Sequence, residues 1–294
     1  MYVLQNISTE LCPASIILKI VYVMKKILIL ILLLYVGNST FAQELQNSTE
    51  FECQYKYIYQ NDTVKGTTKD DRLVLLIGSK VSKCCSFYSL QMDSLMSKPN
   101  WYEIYRKQLN QAFASNIDPP HRRMKAYVYK NYPEGKMTVT DGLSLQDYIY
   151  VDSLNNINWT MVDSTKTILN YTVQMATCDY RGHHWTAWFA PDVPVSDGPW
   201  KLHGLPGLIM EAYDTNAYHH FTVVGIRKVS DMPIVMSKTY VGTNKFEKVK
   251  RKDFLKMQRQ YLENMSGIIK METGIDIDPN SSRKQLGFQP LETE

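Results

Sequence analysis

The sequence predicts a mainly β fold of the α+β class: a curved antiparallel meander sheet with a helical insertion near 92–114 and a C-terminal helix packed on the sheet. Three observations predict it. The chain is rich in aromatic residues, with 20 Tyr, 9 Phe and 5 Trp, which favours packing between strands. Runs rich in Tyr, Val, Ile and Thr recur between turn-forming residues. Two other stretches have apolar residues at helical spacing.

The first part of the chain predicts two strands and then helix. Strands are expected at about 52–59 and 72–77, separated by the polar, turn-rich stretch 61–71. The apolar spacing over 92–114 is helical, and Pro99 interrupts it. We therefore expect either two short helices or one helix that begins after the proline.

The middle of the chain predicts the meander. Strand-like runs alternate with turn signals such as Asp163-Ser164 and Asp179 to Gly182. Two more strands are expected near 208–213 and 219–227. The runs assigned to the meander are 125–132, 136–141, 147–152, 157–162, 166–178 and 184–190.

The last regular element is predicted to be a helix that begins at Asp253. Its apolar residues repeat at helical spacing and would cover one face or edge of the sheet. Polar and turn-forming residues dominate 276–294, which predicts a disordered tail. The folded part is then a single β-rich domain over 43–275.

The segment 1–42 predicts export. Met24 is followed by two lysines, then by the apolar run 27–36 and by small residues that end at Ala42, the order found in a signal peptide. The apolar run is about half of the ~20 residues that a spanning helix needs, so no transmembrane segment is expected in the mature form. We expect translation to start at Met24, after an upstream segment 1–23. Cleavage after Ala42 would place the protein in the periplasm or on the outer surface.

The charge of the chain argues against a nucleic-acid partner. The formal net charge is +4, with 33 basic and 29 acidic residues. Three of the basic residues and one acidic residue lie within 1–42, which leaves a net charge of +2. The short basic run 245–252 is typical of the start of a solvated helix, so the basic surface of a nucleic-acid binder is missing.

Export also changes the expected state of the cysteines, because the compartment is oxidising. Cys12 is removed with the leader, and the four that remain allow three pairings. A bond between the adjacent Cys84 and Cys85 would close a strained ring, so we expect one of them to reach Cys53 or Cys178. Buried free thiols are the alternative.

Rigid and permissive residues are concentrated in 191–207, which predicts a shaped loop. Leu205-Pro206-Gly207-Leu208 suits a type II turn, with Gly207 at the position that needs a positive φ. Gly204 would let another group approach closely. The candidate binding or fold-defining residues of the loop are Trp200, Lys201, His203, Gly204, Leu205, Pro206 and Gly207.

The hexapeptide Gly204-Leu-Pro-Gly-Leu-Ile209 is the signature of the GLPGLI family of exported Gram-negative envelope proteins, which this chain resembles. A weaker resemblance runs from about Asp70 to the final helix. Three neighbouring stretches also fit the family pattern in order and spacing: Ala187-Trp-Phe-Ala-Pro-Asp-Val-Pro, Asp197-Gly-Pro-Trp-Lys201 and Glu211-Ala-Tyr-Asp214.

Two positions depart from the family pattern. Val173 stands where relatives often have a cysteine, and His183 stands where an arginine usually follows the turn glycine. The first departure leaves the family's disulfide without its usual partner, which Cys178 could replace. The family has no established biochemical function, so the resemblance implies no activity.

Enzyme motifs are missing: the chain has no H-E-x-x-H, no G-x-S-x-G, no P-loop and no dinucleotide fingerprint. A catalytic triad assembled from distant residues stays open. A histidine cluster between 183 and 220 is the one enzyme-like feature. Because adjacent histidines on a strand face opposite sides, the candidate metal ligands for zinc or copper are His183, His203, His219 and Asp214. We interpret them as structural or surface residues and expect no cofactor.

The resulting hypothesis is an exported envelope protein without catalysis. It would bind an envelope protein, a peptide or a hydrophobic ligand on a concave apolar face of the sheet or at the Pro/Gly-rich loop. This function follows from fold-level analogy. The alternative is a metal-binding protein or metal-dependent hydrolase that uses the His183 to His220 cluster.

Overall fold

The computed structural model of the chain describes most of the region beyond residue 47. All of the described residues fall in one compact unit, Asn47–Glu294. The leader 1–42 lies outside them, so the predicted signal peptide has no structural counterpart here. The described residues are 48–117, 124–230, 232–237, 245–274 and 287–293.

Within these ranges the chain forms twelve strands in one sheet and four helices, which confirms a mainly β fold. The helices are α1 (Phe87–Met96), α2 (Trp101–Ala114), α3 (Arg251–Glu263) and α4 (Met265–Thr273). The strands are β1 (Thr49–Asp62), β2 (Thr67–Gly78), β3 (Ser82–Ser86), β4 (Tyr127–Lys130), β5 (Lys136–Leu143), β6 (Gln146–Ser153), β7 (Thr160–Ile168), β8 (Tyr171–Tyr180), β9 (His183–Ala190), β10 (Leu208–Asp214), β11 (His219–Lys228) and β12 (Glu247–Lys248).

The sheet consists of two antiparallel meanders joined side by side. Its strand order is β12-β6-β5-β4-β3-β2-β1-β11-β10-β9-β8-β7. The junction is the long antiparallel pair of β1 with β11, which runs from Phe51 opposite Lys228 to Tyr59 opposite His219. The short β12 adds to β6 in parallel. The first strand of the domain therefore holds its two halves together.

The single meander predicted over 125–190 is wrong at one link. β6 and β7 follow each other in sequence but lie near opposite edges of the sheet, and β7 pairs with β8. The segment 154–159 connects them. Alternation and turn residues locate strands and hairpins, but they carry little information about which distant strands pair. The strands β10 and β11 lie where the sequence predicts them.

A second correction concerns a turn. The predicted turn at Asp163-Ser164 is a bulge inside β7, where the register shifts between Val162 and Thr165. The chain reverses at Leu169 and Asn170, whose φ angles are 46° and 68°. Two consecutive positive φ angles are typical of the type I′ hairpin turn, whose twist matches that of the flanking strands.

The helices flank the sheet. α1 and α2 divide the predicted helical stretch near Pro99, and α1 begins earlier than predicted, at Phe87. The centroid of the buried Phe254 ring in α3 lies 5.7 Å from that of the Tyr148 ring and 5.4 Å from that of the Tyr150 ring, so this helix packs against β6. None of the described helices is long and apolar enough to cross a membrane.

The sheet is strongly curved. Tyr150 on β6 and Tyr57 on β1 line the same cavity although five strand spacings separate them in the sheet order. In a flat sheet they would be about 24 Å apart. Curling is expected of a twisted open sheet with this many strands. The core fills the concave side, with Tyr55, Trp185 and Phe221 fully buried.

The expected disulfide is not formed, because the four cysteines Cys53, Cys84, Cys85 and Cys178 are free buried thiols. Leu75 on β2 is the register partner of both Cys53 and Cys84. These two cysteines are therefore two strand spacings apart, about 9.5 Å, which exceeds the roughly 7 Å that a disulfide spans between Cα atoms. Cys85 faces the other side of the sheet from Cys84, and Cys178 lies on β8. Burial raises the pKa of Cys84 to about 11 and that of Cys53 to about 12.

Candidate functional site

Residues 191–207, here called the Pro/Gly loop, connect β9 to β10. Lys130 on β4 fixes this loop with one buried ammonium group. Its Nζ pairs with the Asp197 carboxylate and donates to the carbonyl oxygens of Gly198 at 2.6 Å and Leu202 at 3.0 Å. Because an unpaired charge would be costly at a site this buried, the three acceptors and the ammonium stabilise each other.

Further hydrogen bonds attach the loop and its exit to the sheet. The Trp159 indole donates to the carbonyl oxygen of His203 at 2.8 Å, and the Tyr55 hydroxyl donates to that of Ile209 at 2.8 Å. The backbone N–H of Trp200 lies 3.2 Å from the Cys84 sulfur. The Pro/Gly loop is therefore part of the folded core.

The two glycines of the hexapeptide exchange the roles that the sequence predicts. Gly204 has a φ of +93°, and Gly207 does not have a positive φ, so the predicted type II turn is wrong. Gly207 is needed for space, because a Cβ there would lie 2.2 Å from the carbonyl oxygen of Ala190. A Cβ at Gly204 would meet only the Trp159 ring, at 3.7 Å. Leu205 is buried beside them and Pro206 is exposed.

Trp200 adopts a strained backbone conformation at the turn of the loop. Its φ is 53°, which costs a residue with a side chain about 1–2 kcal/mol. The ring is buried, with its centroid 5.9 Å from that of Trp185 and 6.0 Å from that of Tyr180. Ring packing offsets the strain and makes Trp200 a wall of the neighbouring cavity.

That cavity has a volume of about 250 Å³, is partly open to solvent and lies on the concave face. It is smaller than the roughly 300–1,000 Å³ of pockets for drug-sized ligands, so it suits one small ring or one or two apolar side chains. Its walls come from both meanders, the Pro/Gly loop, α3 and the segment after residue 286. The aromatic residues that line it include Tyr57, Tyr59, Tyr150, Trp200, Phe254 and Tyr261.

One end of the cavity is charged. Lys201 of the Pro/Gly loop is 1% exposed, and its Nζ lies 2.5 Å from Glu292 Oε2 and 3.3 Å from the Tyr150 hydroxyl. The ammonium also lies 5.1 Å from the centroid of the Tyr150 ring, a cation–π contact. A lysine that is fully buried is rare in proteins and is then paired, which makes Lys201 the most unusual residue of the loop.

Five residues from separate parts of the chain form what we call the charge cluster: Asp152, Arg181, Lys201, Arg251 and Glu292. Arg251 donates to Glu292 Oε1 at 2.7 Å, and Arg181 pairs with Asp152. Lys201 and Arg251 also lie 3.8 Å and 3.7 Å from Asp152 Oδ2. Three cations face two carboxylates, so the formal charge of the cluster is +1.

The lowered pKa of Lys201 favours its neutral form, whereas the lowered pKa of Glu292 favours its charged form. Burial lowers the pKa of the Lys201 ammonium, and Glu292 and Asp152 offset only part of that effect. Burial also raises the pKa of Glu292, but Lys201, Arg251 and Arg181 outweigh it and leave the pKa below its usual value. The 2.5 Å contact and the two arginines support a charged pair.

Glu292 belongs to residues 287–293, here called the strap, which lie within the predicted disordered tail. The strap crosses one end of the sheet. The Gly287 carbonyl accepts from the Thr63 N–H at 2.9 Å beside the β1–β2 turn, and the Thr293 N–H donates to Arg181 O at 2.9 Å in the β8–β9 turn. These residues thus have specific contacts in place of the predicted disorder, while 275–286 lie outside the described residues.

A second polar group lies under the strap. His183 Nε2 donates to the carbonyl oxygen of Pro290 at 2.9 Å, and Nδ1 lies 3.5 Å from Asp214 Oδ2. The contact with Asp214 raises the pKa of His183. The Tyr57 hydroxyl lies 2.9 Å from Nδ1 of His219, whose ring centroid is 5.3 Å from that of His183. Burial lowers the pKa of His219 to about 4.

The fourth predicted metal ligand lies apart from these three. Both ring nitrogens of His203 face carbonyl oxygens, Nδ1 that of Lys201 at 2.8 Å and Nε2 that of Asn155 at 3.1 Å. Burial lowers the pKa of His203. Across the described ranges, no group of three or more His, Cys, Asp or Glu side chains is arranged to hold a metal ion.

Sequence reasoning found one side of the site and missed the other. The Pro/Gly loop contributes Trp200 and Lys201 to the cavity, and the sequence predicts both as candidate site residues. Tyr57 and Tyr150, although on predicted strands, were not singled out, and neither was Glu292. The period-2 run of Tyr55, Tyr57 and Tyr59 on β1 is a signal that could have indicated an aromatic wall.

Residues 180–211 match a family described as a protein of unknown function, Porph_ging. The match spans β9 and the Pro/Gly loop with its hexapeptide. No curated protein matches the chain.

Two solved structures of PNGF-II are similar in part. The structure in space group C2 has a TM-score of 0.46 and 12% identity, over 71% of this chain and 32% of that chain. The structure in space group P21 has a TM-score of 0.45 and 12% identity, over 71% of this chain and 33% of that chain. This chain thus spans about a third of the length of the PNGF-II chains.

Proposed function

We propose that this chain is an exported cell-envelope protein that binds an apolar ligand, without catalysis, in the aromatic cavity of its concave face. The observation that carries the proposal is the cavity itself, because it is lined by rings from both halves of the sheet, from the Pro/Gly loop and from α3. Such a mostly apolar, concave pocket with a few polar groups is the usual form of a ligand site. The ligand is a small hydrophobic molecule or an apolar side chain of a peptide or envelope protein.

The construction of the cavity supports binding over catalysis. Lys201 and Glu292 neutralise each other at one end of the cavity. Nδ1 of His219 lies within hydrogen-bond distance of the Tyr57 hydroxyl. A general base must reach a proton of the substrate with a pKa near the working pH. The lowered pKa of His219, about 4, makes it a weak base.

Filling the cavity tests the proposal. Ala126 lines the cavity, so Ala126→Trp adds a ring there, and Val224→Trp adds one at a position of β11 that is 49% exposed. The neutral dye 1-naphthylamine, whose fused rings are about the size of one Trp side chain and whose fluorescence depends on the polarity of its surroundings, serves as the probe. We expect one dye per chain and at least tenfold weaker binding to Ala126→Trp, with Val224→Trp unchanged. Equal binding to all three proteins would refute the cavity as the site.

The exported state has its own test. It rests on the leader that begins at Met24 and on the resemblance of the hexapeptide to the GLPGLI family. We expect the chain, expressed in a Gram-negative host, to appear in the periplasm or on the outer surface with Gln43 as its first residue by mass spectrometry. A cytoplasmic product that keeps the leader would contradict this part of the proposal.

Metal binding is the second candidate function: His183, Asp214 and His219 lie near one another, although the described residues include no group of three arranged as a metal site. Elemental analysis of the purified protein after dialysis against zinc or copper would decide it. Stoichiometric metal that is lost in His183→Ala would support a metal site. Metal-free protein that binds the neutral dye would support the apolar ligand.

A further inference from the structure

The strap has the contacts of a bound peptide. Its main chain forms three hydrogen bonds to the rest of the domain, through Gly287 O, Pro290 O and Thr293 N. Between them Phe288 and Leu291 line the cavity. An extended segment that combines spaced main-chain hydrogen bonds with side chains in pockets is bound as a peptide ligand would be.

The charge cluster indicates which side chain this groove accepts. Glu292 places one oxygen 2.5 Å from the Lys201 ammonium and the other 2.7 Å from the Arg251 guanidinium. Without Glu292, three cations would share Asp152 and the formal charge would rise from +1 to +2. Lys201 is 1% exposed while the strap is in place, so its ammonium is paired with the carboxylate and not with solvent. The cluster therefore needs a second anion in this position.

We infer that the cavity and the charge cluster together form a binding groove for an extended peptide segment of another protein, with a glutamate directly after an apolar residue, and that the strap is its internal occupant. The inference rests on the proposed function, since Leu291, the apolar residue before the glutamate, lines the same cavity. Leu291-Glu292 is the sequence that the groove holds in this chain. A partner segment with the same chemistry would displace the strap.

Weakening the strap in the full chain tests the inference. Glu292→Gln keeps the shape of the side chain and removes its charge, and Glu263→Gln makes the same change at the exposed end of α3. The probe is a fluorescein-labelled peptide with the sequence of 287–293, in its native form and with Gln in place of the glutamate. Binding is measured by fluorescence anisotropy, and circular dichroism checks folding.

We expect Glu292→Gln to bind the native peptide at least tenfold more tightly than the unchanged chain or Glu263→Gln does, because its own strap competes less well. The same variant should bind the Gln peptide at least tenfold more weakly than the native peptide. Equal binding of the two peptides, or no binding of either, would overturn the inference.

A second variant covers the case in which Glu292→Gln does not fold. A Cβ at Gly287 would lie 2.5 Å from Asp62 Oδ1 and 2.5 Å from the Thr63 nitrogen. Gly287→Val therefore displaces the start of the strap and leaves the charge cluster intact, and the same peptide affinities are expected to rise. If the neutral dye binds but neither variant binds the peptide, the proposed function stands and the peptide groove is wrong.

Discussion

The Pro/Gly loop and the strap cover the same concave face, but they are held in different ways. The loop is fixed by Lys130, by hydrogen bonds from Trp159 and Tyr55 and by close packing at Gly207. The strap is held by three main-chain hydrogen bonds and one carboxylate among three cations. The loop belongs to the core, whereas the strap lies on the core and has its charged contacts at one residue, Glu292. The Pro/Gly loop therefore forms a fixed wall of the site, whereas the strap can be displaced from it.

Among the changes that test this comparison, replacement of Lys130 is expected to have the largest effect on stability. Lys130→Met leaves the Asp197 carboxylate buried without its partner and two loop carbonyls without a donor. We expect the free energy of unfolding to fall by about 3–5 kcal/mol, measured by urea denaturation. Lys136→Met, at an exposed position of β5, should stay within about 0.5 kcal/mol of the unchanged chain. Similar losses in both variants would contradict the role of Lys130.

The two glycines of the hexapeptide sharpen the comparison within the loop. Gly207→Ala forces a backbone shift against Ala190, and we expect a loss of about 2–3 kcal/mol. Gly204→Ala meets no close atom but has a φ of +93°, so a loss of about 1–2 kcal/mol is expected. Urea denaturation of both variants gives the order. A larger loss at Gly204 would mean that φ, and not space, decides the glycines here.

The third effect concerns the histidines beneath the strap. Burial lowers the pKa of His219 to about 4, below the roughly 6.5 of an unfolded histidine. The folded state then binds fewer protons than the unfolded state. The free energy of unfolding therefore falls as the pH drops below about 6.5, and His219 alone lowers it by about 2 kcal/mol between pH 7.5 and 5. Asp214 raises the pKa of His183. The stability from His183 is therefore present below about pH 6.5 and is lost as the pH rises through its raised folded value.

His219→Gln removes the first contribution and keeps the second. Glutamine can still accept a hydrogen bond from Tyr57, so the variant should fold. We expect it to lose about 2 kcal/mol less than the unchanged chain between pH 7.5 and 5, by urea denaturation at each pH. His184→Gln, on the exposed neighbour, should follow the unchanged chain. If His219→Gln and the unchanged chain have parallel pH profiles, His219 is not buried as described.

The sequence predicts local structure here and fails where distant residues meet. The strands β10 and β11 lie where the sequence predicts them, and proline and glycine indicated a shaped loop. The link between β6 and β7 was wrong because strand pairing across the sheet depends on β1 joining β11. The roles of Gly204 and Gly207 were exchanged, since the space at Gly207 is set by Ala190 on another strand.

The same limit explains the cysteines and the charge cluster. Cys53 and Cys84 are separated by β2, which no spacing in the sequence reveals. The partners of Glu292 come from the β8–β9 turn, the Pro/Gly loop and α3. In the sequence, Glu292 stands in a polar stretch whose composition predicts disorder. Only the fold brings its three cations together.

Hydrogen exchange of Glu292→Gln, followed by mass spectrometry, tests the contrast between loop and strap most directly. The Leu208 and Ile209 amides at the exit of the loop donate to Val193 O and Asp197 O, and the Thr293 amide of the strap donates to Arg181 O. We predict that peptides covering the strap exchange much faster in Glu292→Gln than in Glu263→Gln, while peptides covering 199–209 stay equally protected. Loss of protection in both regions together, or in neither, would contradict a strap that one carboxylate holds on a fixed core.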